Sequence, residues 1–448
     1  MTKAKSPKQT SKDLYADAIK VIPGGVSRNT ILRKPYPNYV EWAKGCHVKD
    51  IDGITRIDFA NNMAALIHGH AHPAIVDAVT EQLKSGTAYT LATEIEVRFA
   101  EHLAGRAGSL EKIRFVNSGT EAVMAMIKAS RAYTQRPKIA KAEGAYHGTY
   151  DFAEVSQIVG PDNWGNINQP DSVPLVQGTP KGVTDNVVIF PFNDIERTLA
   201  ILDKSADEIA AVLIDPIPHR VGLLQASPEF IEAIYEWTRR NDALLIFDEV
   251  ITFRASYGGA QEDYKVKPDL TALGKIIGGG FPVGAYGGRA DVMAVLDPTA
   301  PGKLRFPHSG TFSANPVTMT AGFVTMNLYD HKAIKDLNAI TQIAKDQINE
   351  AIRIADVPVS VTGSASMFRV HLKDVGPSTY RDTHQTPEEN ALIIKILDHL
   401  FHKENIMMIN TCACMFSTVI TQKEVDRLTE GMLNALMILK PEIMNLKK

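Results

Sequence analysis

Cysteine is scarce in this chain, which has three in 448 residues: Cys46, Cys412 and Cys414. Three cysteines cannot build a disulfide framework. The neighbouring pair, Cys412 and Cys414, also has no second Cys/His pair at the spacing of a zinc finger. The low cysteine content therefore predicts a reducing compartment, and we expect a cytoplasmic protein.

Excess charge and long apolar runs are lacking as well. The formal net charge is -3, so no general positive field indicates binding to nucleic acid or to an anionic membrane surface. No run reaches the roughly 18 uninterrupted apolar residues of a membrane span. Residues 1–12 are polar and lack the apolar core of a signal peptide, which predicts a frayed tail. We expect a protein that acts on small molecules.

What the chain does contain is ample core material, because 44% of its residues are hydrophobic. Its length predicts two or three domains. Residues 38–59 alternate apolar and polar side chains around two turn signals, which predicts a small antiparallel meander. From about Asn61, short apolar runs such as 112-KIRFV-116 alternate with helical patterns. This alternation predicts an α/β fold with a mostly parallel sheet covered on both faces.

We therefore divide the chain into three parts. Residues 1–60 form an N-terminal segment that belongs to a small domain, residues 61–322 form a large α/β domain, and residues 323–448 form a small α+β domain. The last part is predicted to contain strands within 359–372 and 415–420 and helices over 388–402 and from Gln422. A long helix is predicted over 316–330.

The ends of the predicted strands carry polar residues, and ligands bind at the carboxyl ends of strands in such sheets. The strand 112–116 leads into 117-NSGTEA-122, where Ser118 precedes a predicted helix. Free amides at a helix N-terminus bind anions, although a serine before a glutamate is also a helix-capping pattern. Asp248 and Glu249 end the apolar run from Ala243. A carboxylate there could cap neighbouring backbone or pair with a protonated ring nitrogen.

Lys275 follows the strand-like run 269–274 and precedes a glycine-rich segment. It does not match a phosphate-binding P-loop, because Ile276 follows it and the glycines come after it. A solvent-exposed lysine is one interpretation. Apolar neighbours on both sides support another, in which burial lowers the pKa of the amine so that it can react with a carbonyl group.

Five segments of the chain, taken together and in order, resemble a known family. They resemble the class III, fold-type I aminotransferases that depend on pyridoxal phosphate, and among these the branch of glutamate-1-semialdehyde aminomutase and the β-amino-acid aminotransferases. The resemblance extends from about Ile22 to the C-terminal helix. The segments are 117-NSGTEA-122, 144-GAYHG-148, 247-FDEVIT-252, 272-ALGKIIGGGFPVGAYGG-288 and 309-SGTFSANP-316.

The resemblance implies catalytic roles for Lys275, Asp248 and Tyr146. Lys275 is expected to hold the cofactor covalently through its aldehyde and then to move the proton of the reacting carbon. Asp248 is expected to keep the pyridine nitrogen protonated. Tyr146 is expected to stack on one face of the ring, with Val250 on the other.

The phosphate end of the cofactor is expected to bind Ser118, Gly119 and Thr120. Thr311 resembles the threonine that, in this family, reaches the phosphate from a second subunit. The resemblance therefore also implies a homodimer with active sites at the interface.

Substrate recognition is less constrained by the sequence. A substrate carboxylate could bind to Arg28, Arg33 or Arg220. Arg28 lies in the position that the β-amino-acid enzymes use. Each of the three could instead be a solvated arginine. Residues 411–415 lack the second arginine or the acidic residue of related enzymes, so we expect one small, apolar side of the site. Asp215 stands where relatives usually have glutamate.

The expected activity is transfer of an amino group between an amine or β-amino acid and a 2-oxo acid, with the product of the first half leaving before the second substrate binds. The alternatives are an aminomutase of the same family or a non-catalytic cofactor-binding protein. His68, His70 and His72 lie in one turn and are not expected to converge on a metal ion. His147 is expected to be a hydrogen-bonding residue rather than a general base.

Overall fold

The computed structural model describes residues 9–301 and 305–446, and its sixteen strands form four sheets within that part of the chain. The strands are β1 (Val40–Lys44), β2 (His47–Asp50), β3 (Thr55–Asp58), β4 (Lys112–Val116), β5 (Lys138–Ala142), β6 (Gly165–Asn166), β7 (Gln169–Pro170), β8 (Val187–Phe190), β9 (Ile209–Ile214), β10 (Leu244–Asp248), β11 (Leu270–Gly274), β12 (Gly284–Gly288), β13 (Ser360–Thr362), β14 (Met367–His371), β15 (Ile406–Met407) and β16 (Ala413–Met415).

Fourteen α-helices surround these sheets in the same described ranges. They are α1 (Ser11–Ala18), α2 (Asn61–Ala64), α3 (Pro73–Ser85), α4 (Glu94–Arg106), α5 (Gly119–Thr134), α6 (Asp151–Glu154), α7 (Lys181–Thr184), α8 (Ile195–Asp203), α9 (Pro228–Arg240), α10 (Ala290–Met293), α11 (Pro316–Leu328), α12 (His331–Ala355), α13 (Pro387–His402) and α14 (Gln422–Asn445). No helix among the described residues is both long and apolar enough to cross a bilayer.

The largest sheet has seven strands in the order β4-β12-β11-β10-β9-β5-β8. Strand β12 is antiparallel to both of its neighbours, and the remaining adjacent pairs are parallel. The inner strands β9 to β11 are buried along their whole length, as expected for strands covered on both faces. The predicted mostly parallel α/β sheet is confirmed.

The predicted N-terminal meander is also confirmed. Strands β1, β2 and β3 pair antiparallel, and β15 from the C-terminal part adds to β3 in parallel. A separate sheet of β13, β14 and β16 completes the C-terminal region. Segments from both ends of the chain therefore share one sheet. The predicted division at residue 322 falls inside α11, and the domain limits remain a prediction.

Three details of the sequence interpretation were wrong. The predicted strand over 415–420 ends at Met415, because the backbone amides of Phe416 and Thr418 donate to Ser366 and Ile67 instead of continuing a ladder. The 25-residue helix α12 was not predicted. Of the predicted tail, residues 1–8 lie outside the described ranges, and α1 begins at Ser11 behind a Thr10 capping box.

One continuous hydrophobic core connects the large sheet with the C-terminal helices. Phe99 and Ile277, beside the large sheet, belong to the same buried cluster as Ile348 of α12 and Leu436 of α14. This shared core fixes the C-terminal region against the strand ends where the site lies.

Candidate active site

A cavity of about 360 Å³ lies at the carboxyl ends of the central strands, where the topology of the sheet predicts a ligand site. It collects most of the residues that the sequence singled out, although they come from five separate segments of the chain. Its walls include Asn62, Ser118, Gly119, Thr120, Tyr146, His147, Asp215, Asp248, Val250, Lys275 and Phe281.

Lys275 is the first residue after β11 and begins a short 3-10 turn over Lys275–Gly278. Its φ is +48°, a left-handed conformation that is costly for a residue with a side chain. Burial lowers the pKa of Lys275, while the nearby charges of Asp248 and Asp215 act in the opposite direction. The strand end thus presents an amine with an enhanced neutral fraction to the cavity.

Asp248, the last residue of β10, is only 5% exposed and is fixed by two hydrogen bonds. Its Oδ2 lies 2.8 Å from Nδ1 of His147, and its Oδ1 accepts from the amide of Val250 at 3.1 Å. Burial lowers the pKa of His147, so the ring is neutral and donates its Nδ1 proton to the carboxylate. This arrangement agrees with the hydrogen-bonding role expected for His147 and fixes the carboxyl group of Asp248 in the cavity wall.

Asp215 is a second buried carboxyl group in the cavity, and the sequence interpretation did not predict its position beside Asp248 and Lys275. Its Oδ1 accepts from the amide of Ile217 at 2.9 Å. Burial, together with the charge of Asp248, raises the pKa of Asp215 well above its ordinary value. Burial and the neighbouring carboxyl group thus both favour the protonated form of Asp215.

The anion site and the helix cap expected at Ser118 coexist. Ser118 is the N-cap of α5, because its hydroxyl accepts from the amide of Glu121 at 3.1 Å, and it also lines the cavity. The N-terminus of a 16-residue helix therefore points its partial positive charge at the cavity. A Cβ on Gly119 would lie 2.8 Å from a methyl group of Val250, so only glycine lets this turn approach so closely.

Tyr146 lines the cavity and stands beside two further side chains. Its ring centroid is 5.6 Å from that of His219 in an edge-on arrangement, and Cζ of Arg220 lies 5.6 Å from the same ring centroid. Burial, together with the charge of Arg220, lowers the pKa of His219 to about 3. His219 is therefore neutral, and Arg220 is the cation on this side of the site.

The other two candidate arginines are separated by the structure. Nη1 of Arg28 donates to Oδ1 of Asn62 at 2.7 Å, and Asn62 lines the cavity. Arg33 lies elsewhere, because its Cζ is 4.0 Å from the centroid of the Phe401 ring in α13. Thr311 is exposed and does not line the cavity of its own chain.

Residues 411–415 do not form the expected apolar side of the site. Cys412 and Cys414 point into the main hydrophobic core, and Ala413 pairs with Arg369 of β14. Nε of Arg369 donates to the carbonyl of Thr411 at 3.1 Å. The sequence interpretation missed Arg369, although a charged residue inside the buried run 367-MFRVH-371 was the available signal.

Two of the three histidines of the 67–73 turn have separate hydrogen-bond partners. Nδ1 of His68 lies 2.8 Å from the Thr418 hydroxyl, and Nε2 of His70 lies 2.8 Å from Oδ2 of Asp58. Burial lowers the pKa of His68 to about 4. His68 thus joins the N-terminal and C-terminal segments, whereas His70 holds the turn against β3.

Comparisons with known proteins agree on one family. Residues 32–436 match the family model of aminotransferase class-III. The chain is 37% identical over 416 residues to glutamate-1-semialdehyde 2,1-aminomutase of Methanocaldococcus jannaschii, which covers 93% of this chain and 95% of the relative. It is 45% identical to an omega-transaminase from Sphaerobacter thermophilus, with a TM-score of 0.93 and coverage of 96% of this chain and 98% of that one. A transaminase with PLP bound is 37% identical, with a TM-score of 0.88 and coverage of 99% and 100%.

The cavity fits a phosphorylated pyridine aldehyde at each of its parts. An amine, a buried carboxylate and a helix N-terminus are the groups that an aldehyde, a ring nitrogen and a phosphate require. Val250 and the aromatic ring of Tyr146 both line the cavity, and Gly119 lies against Val250 where a side chain would clash. The residues present therefore suit pyridoxal phosphate.

Proposed function

We propose, from the premise that this chain belongs to the class-III aminotransferases and is a pyridoxal phosphate enzyme, that it transfers an amino group between an amine or β-amino acid and a 2-oxo acid. The transfer takes place in two half-reactions at one site, and the first product leaves before the second substrate binds. The observation that carries the proposal is the placement of Lys275 in one cavity with Asp248 and the N-terminus of α5.

Lys275 is the residue that we assign to the chemical step. Bound pyridoxal phosphate supplies an electron-accepting ring and an aldehyde carbon that can carry the amino group. Nζ of Lys275 removes the proton from the substrate carbon that bears nitrogen and delivers it to the acceptor carbon. The lowered pKa of this amine keeps a neutral form available for the transfer.

The other residues position and polarise the reacting groups. Asp248, held by His147 at 2.8 Å, favours a protonated ring nitrogen and so increases electron withdrawal. Val250 and Tyr146 restrict the ring from its two sides. Ser118, Gly119 and Thr120 bind the phosphate at the start of α5, where the helix dipole favours an anion.

Arg28 is proposed to bind a substrate carboxylate. Its hydrogen bond to Asn62 links it to the cavity wall, which supports this assignment over the solvated alternative.

The phosphate contact proposed for Thr311 comes from a second subunit, because Thr311 is exposed and lies outside the cavity of its own chain. We therefore propose a homodimer. The three cysteines of the chain are buried and form no disulfide bond, which supports a location in the reducing cytoplasm.

The experiment that tests this function replaces Lys275 with alanine, with Lys44→Ala, at an exposed lysine, as the control. Wild-type and Lys44→Ala proteins should absorb visible light as the lysine-bound cofactor and bleach on addition of an amino donor. Lys275→Ala should lose turnover by several orders of magnitude. Full turnover by Lys275→Ala would refute the assignment, and a cofactor spectrum without any half-reaction would favour a non-catalytic binding protein.

An aminomutase is the second candidate, and the name of the archaeal relative favours it. Such an enzyme returns the amino group to a neighbouring carbon of the same molecule and needs no external acceptor. The transaminase similarity at 45% identity favours the first candidate. Glutamate-1-semialdehyde supplied alone distinguishes the two, because only an aminomutase should convert it to 5-aminolevulinate at rates comparable with those of amino-group transfer to an oxo acid.

A further inference from the structure

Two guanidinium groups, that of Arg220 beside Tyr146 and that of Arg369, have no acidic partner among the described residues. Arg369 is 5% exposed, and the single hydrogen bond of its side chain goes from Nε to the carbonyl of Thr411. Arg220 is half-buried, and its Nε is shielded from solvent without a hydrogen-bond acceptor. Neither group forms an ion pair within the described part of the chain. Both cations are therefore uncompensated by the protein.

The pleat of β14 directs Arg369 toward the loop that carries Arg220. Met367, Arg369 and His371 share one face of the strand, since alternate residues point the same way. Met367 packs in a cluster with Ile217 and Leu223, which lie at the two ends of this loop. Cε1 of His371 lies 3.5 Å from the position that a Cβ on Gly222 would occupy. Arg369, between these two residues, faces the same loop.

The loop in turn places Arg220 beside the reaction cavity. Its guanidinium lies 5.6 Å from the centroid of Tyr146, a residue of the cavity wall. The imidazoles of His219 and His371 are neutral, because burial and nearby cations lower the pKa of each to about 3. Behind Tyr146, one residue of the cavity wall, thus lie the cation of Arg220 and the neutral ring of His219, and Arg369 and the neutral ring of His371 face the same loop.

Nearby carboxylates are engaged elsewhere. Asp248 pairs with His147, and Glu143 makes a two-pronged ion pair with Arg381 at 2.9 Å. Burial lowers the pKa of Arg369 to about 10, and repulsion from Arg220 adds to this effect. Burying two like charges is unfavourable unless an anion joins them. The anion must therefore be supplied by a ligand.

We propose that Arg369 and Arg220 together bind a carboxylate of the substrate on the Tyr146 side of the cavity, apart from the contact assigned to Arg28. The inference rests on the proposed amino-group transfer and makes a carboxylic acid, rather than a plain amine, the preferred donor. Guanidinium groups suit this role, because each can present two parallel N–H donors to one carboxylate.

The test uses the full-length enzyme loaded with cofactor and two donors that differ by a carboxylate, 3-aminobutanoate and 2-aminobutane. In Arg369→Gln the KM for 3-aminobutanoate should rise by about tenfold or more, the range for loss of a charged hydrogen bond, whereas the 2-aminobutane half-reaction stays unchanged. Arg369→Lys should recover part of the loss. The surface variant Arg353→Gln, at an exposed arginine paired with Glu350, should behave as wild type.

Butanoate provides a readout that needs no turnover, since it has the carboxylate and no amine. It should perturb the visible band of the wild-type and Arg353→Gln enzymes, and not of Arg369→Gln. Arg220→Gln should show the same selective loss and replaces Arg369→Gln if that variant fails to fold. Equal butanoate binding in wild type and Arg369→Gln, equal loss of both donors, or a band shift with chloride as large as that with butanoate would each overturn the proposal.

The two proposals fail in different ways. If no amine bleaches the wild-type cofactor band, the proposed transfer is wrong, while the butanoate titration still reports on the arginine site. If both amines react equally well in wild type and in Arg369→Gln, the transfer stands and the carboxylate site is wrong.

Discussion

Lys275 combines two unusual properties in one residue. It adopts a left-handed backbone conformation at φ +48°, and burial lowers the pKa of its amine. Strained conformations persist where the surrounding structure determines them, and they occur often at functional sites. Here the strain lies at the point where β11 turns into the glycine-rich segment, so the turn directs the amine into the cavity.

The lowered pKa of Lys275 predicts how the protein without cofactor recombines with pyridoxal phosphate. Only the neutral amine attacks an aldehyde, and a lowered pKa extends the neutral form to lower pH. Recombination should therefore be fast at pH values below the ordinary lysine pKa of 10.5 and should slow as the pH falls through the lowered value. Stopped-flow absorbance from pH 6 to 10 measures this rate. A rate that rises only as the pH approaches 10.5 would contradict the prediction.

Gly119 sets the distance between the phosphate site and Val250. Gly119→Ala should weaken cofactor affinity, because the new methyl group would lie 2.8 Å from a Val250 methyl and displace the turn. The double variant Gly119→Ala/Val250→Ala removes the obstructing methyls and should recover part of the affinity. Cofactor titration followed by fluorescence measures both, and no recovery in the double variant would show that the backbone freedom of glycine, rather than space, is what matters.

At the scale of elements, Arg254 connects the segment after β10 with the C-terminal region. It is fully buried, its Nε donates to the hydroxyl of Ser366 at 2.8 Å, and its Nη2 donates to the carbonyl of Phe416. The hydroxyl of Tyr329 donates to the Arg254 carbonyl at 2.7 Å. These bonds hold the elements around the cavity in register across the shared core.

Arg254→Met should therefore lower the free energy of unfolding by about 2–4 kcal/mol, because the carbonyl of Phe416 loses a charged donor and remains buried. Chemical denaturation with intact cofactor measures the change, and Arg353→Met on the surface of α12 serves as the control. A loss below about 0.5 kcal/mol, the range of surface substitutions, would show that water replaces the guanidinium.

Elements with strong local signals were predictable from the sequence, and pairings between distant segments were not. The apolar runs of β9 to β11 and the glycine-rich turn after Lys275 gave the central sheet and a shared strand end. The location of Arg369 could not be predicted, because it depends on the pairing of β14 with β16. It also depends on the contact of β14 with a loop about 150 residues earlier in the chain, and no local sequence pattern encodes such a contact. Likewise, the raised pKa of Asp215 depends on its burial in the folded chain and on its neighbour Asp248.

At the scale of the whole molecule, several large apolar side chains are exposed, one of them next to Thr311 in the chain. Phe312 is 59% exposed and Leu91 is 83% exposed, which is unusual for large apolar side chains. Phe281, which lines the cavity, is also at the surface of the single chain. These exposures support the proposed dimer, since a partner subunit would cover them.

The dimer predicts that two inactive variants can restore activity together. Lys275→Ala removes the amine, and Thr311→Asp places a negative charge against the phosphate, so each homodimer should be inactive. A mixed dimer contains one site with both Lys275 and Thr311 intact, because these residues come from different chains. Co-refolded or co-expressed variants should therefore regain up to about one quarter of wild-type activity, following random pairing into a symmetric dimer.

Activity is measured in the unseparated mixture, and two affinity tags then test whether mixed dimers have formed. A mixed dimer that stays inactive while each tag captures both chains would contradict the placement of Thr311 in the partner's site. A monomer in sedimentation velocity that retains full activity would contradict the dimer itself.

The parallel pairing of β3 with β15 has a consequence for the order in which the protein can be built on the ribosome. The N-terminal meander leaves the exit tunnel early. Strand β15, which completes its sheet, follows about 345 residues later, as does the Phe401 carbonyl that accepts a hydrogen bond from Arg56. The seven-stranded sheet can form first, since all of its strands lie between Lys112 and Gly288. The first sixty residues must then wait, with β3 as an open edge, until translation is nearly complete.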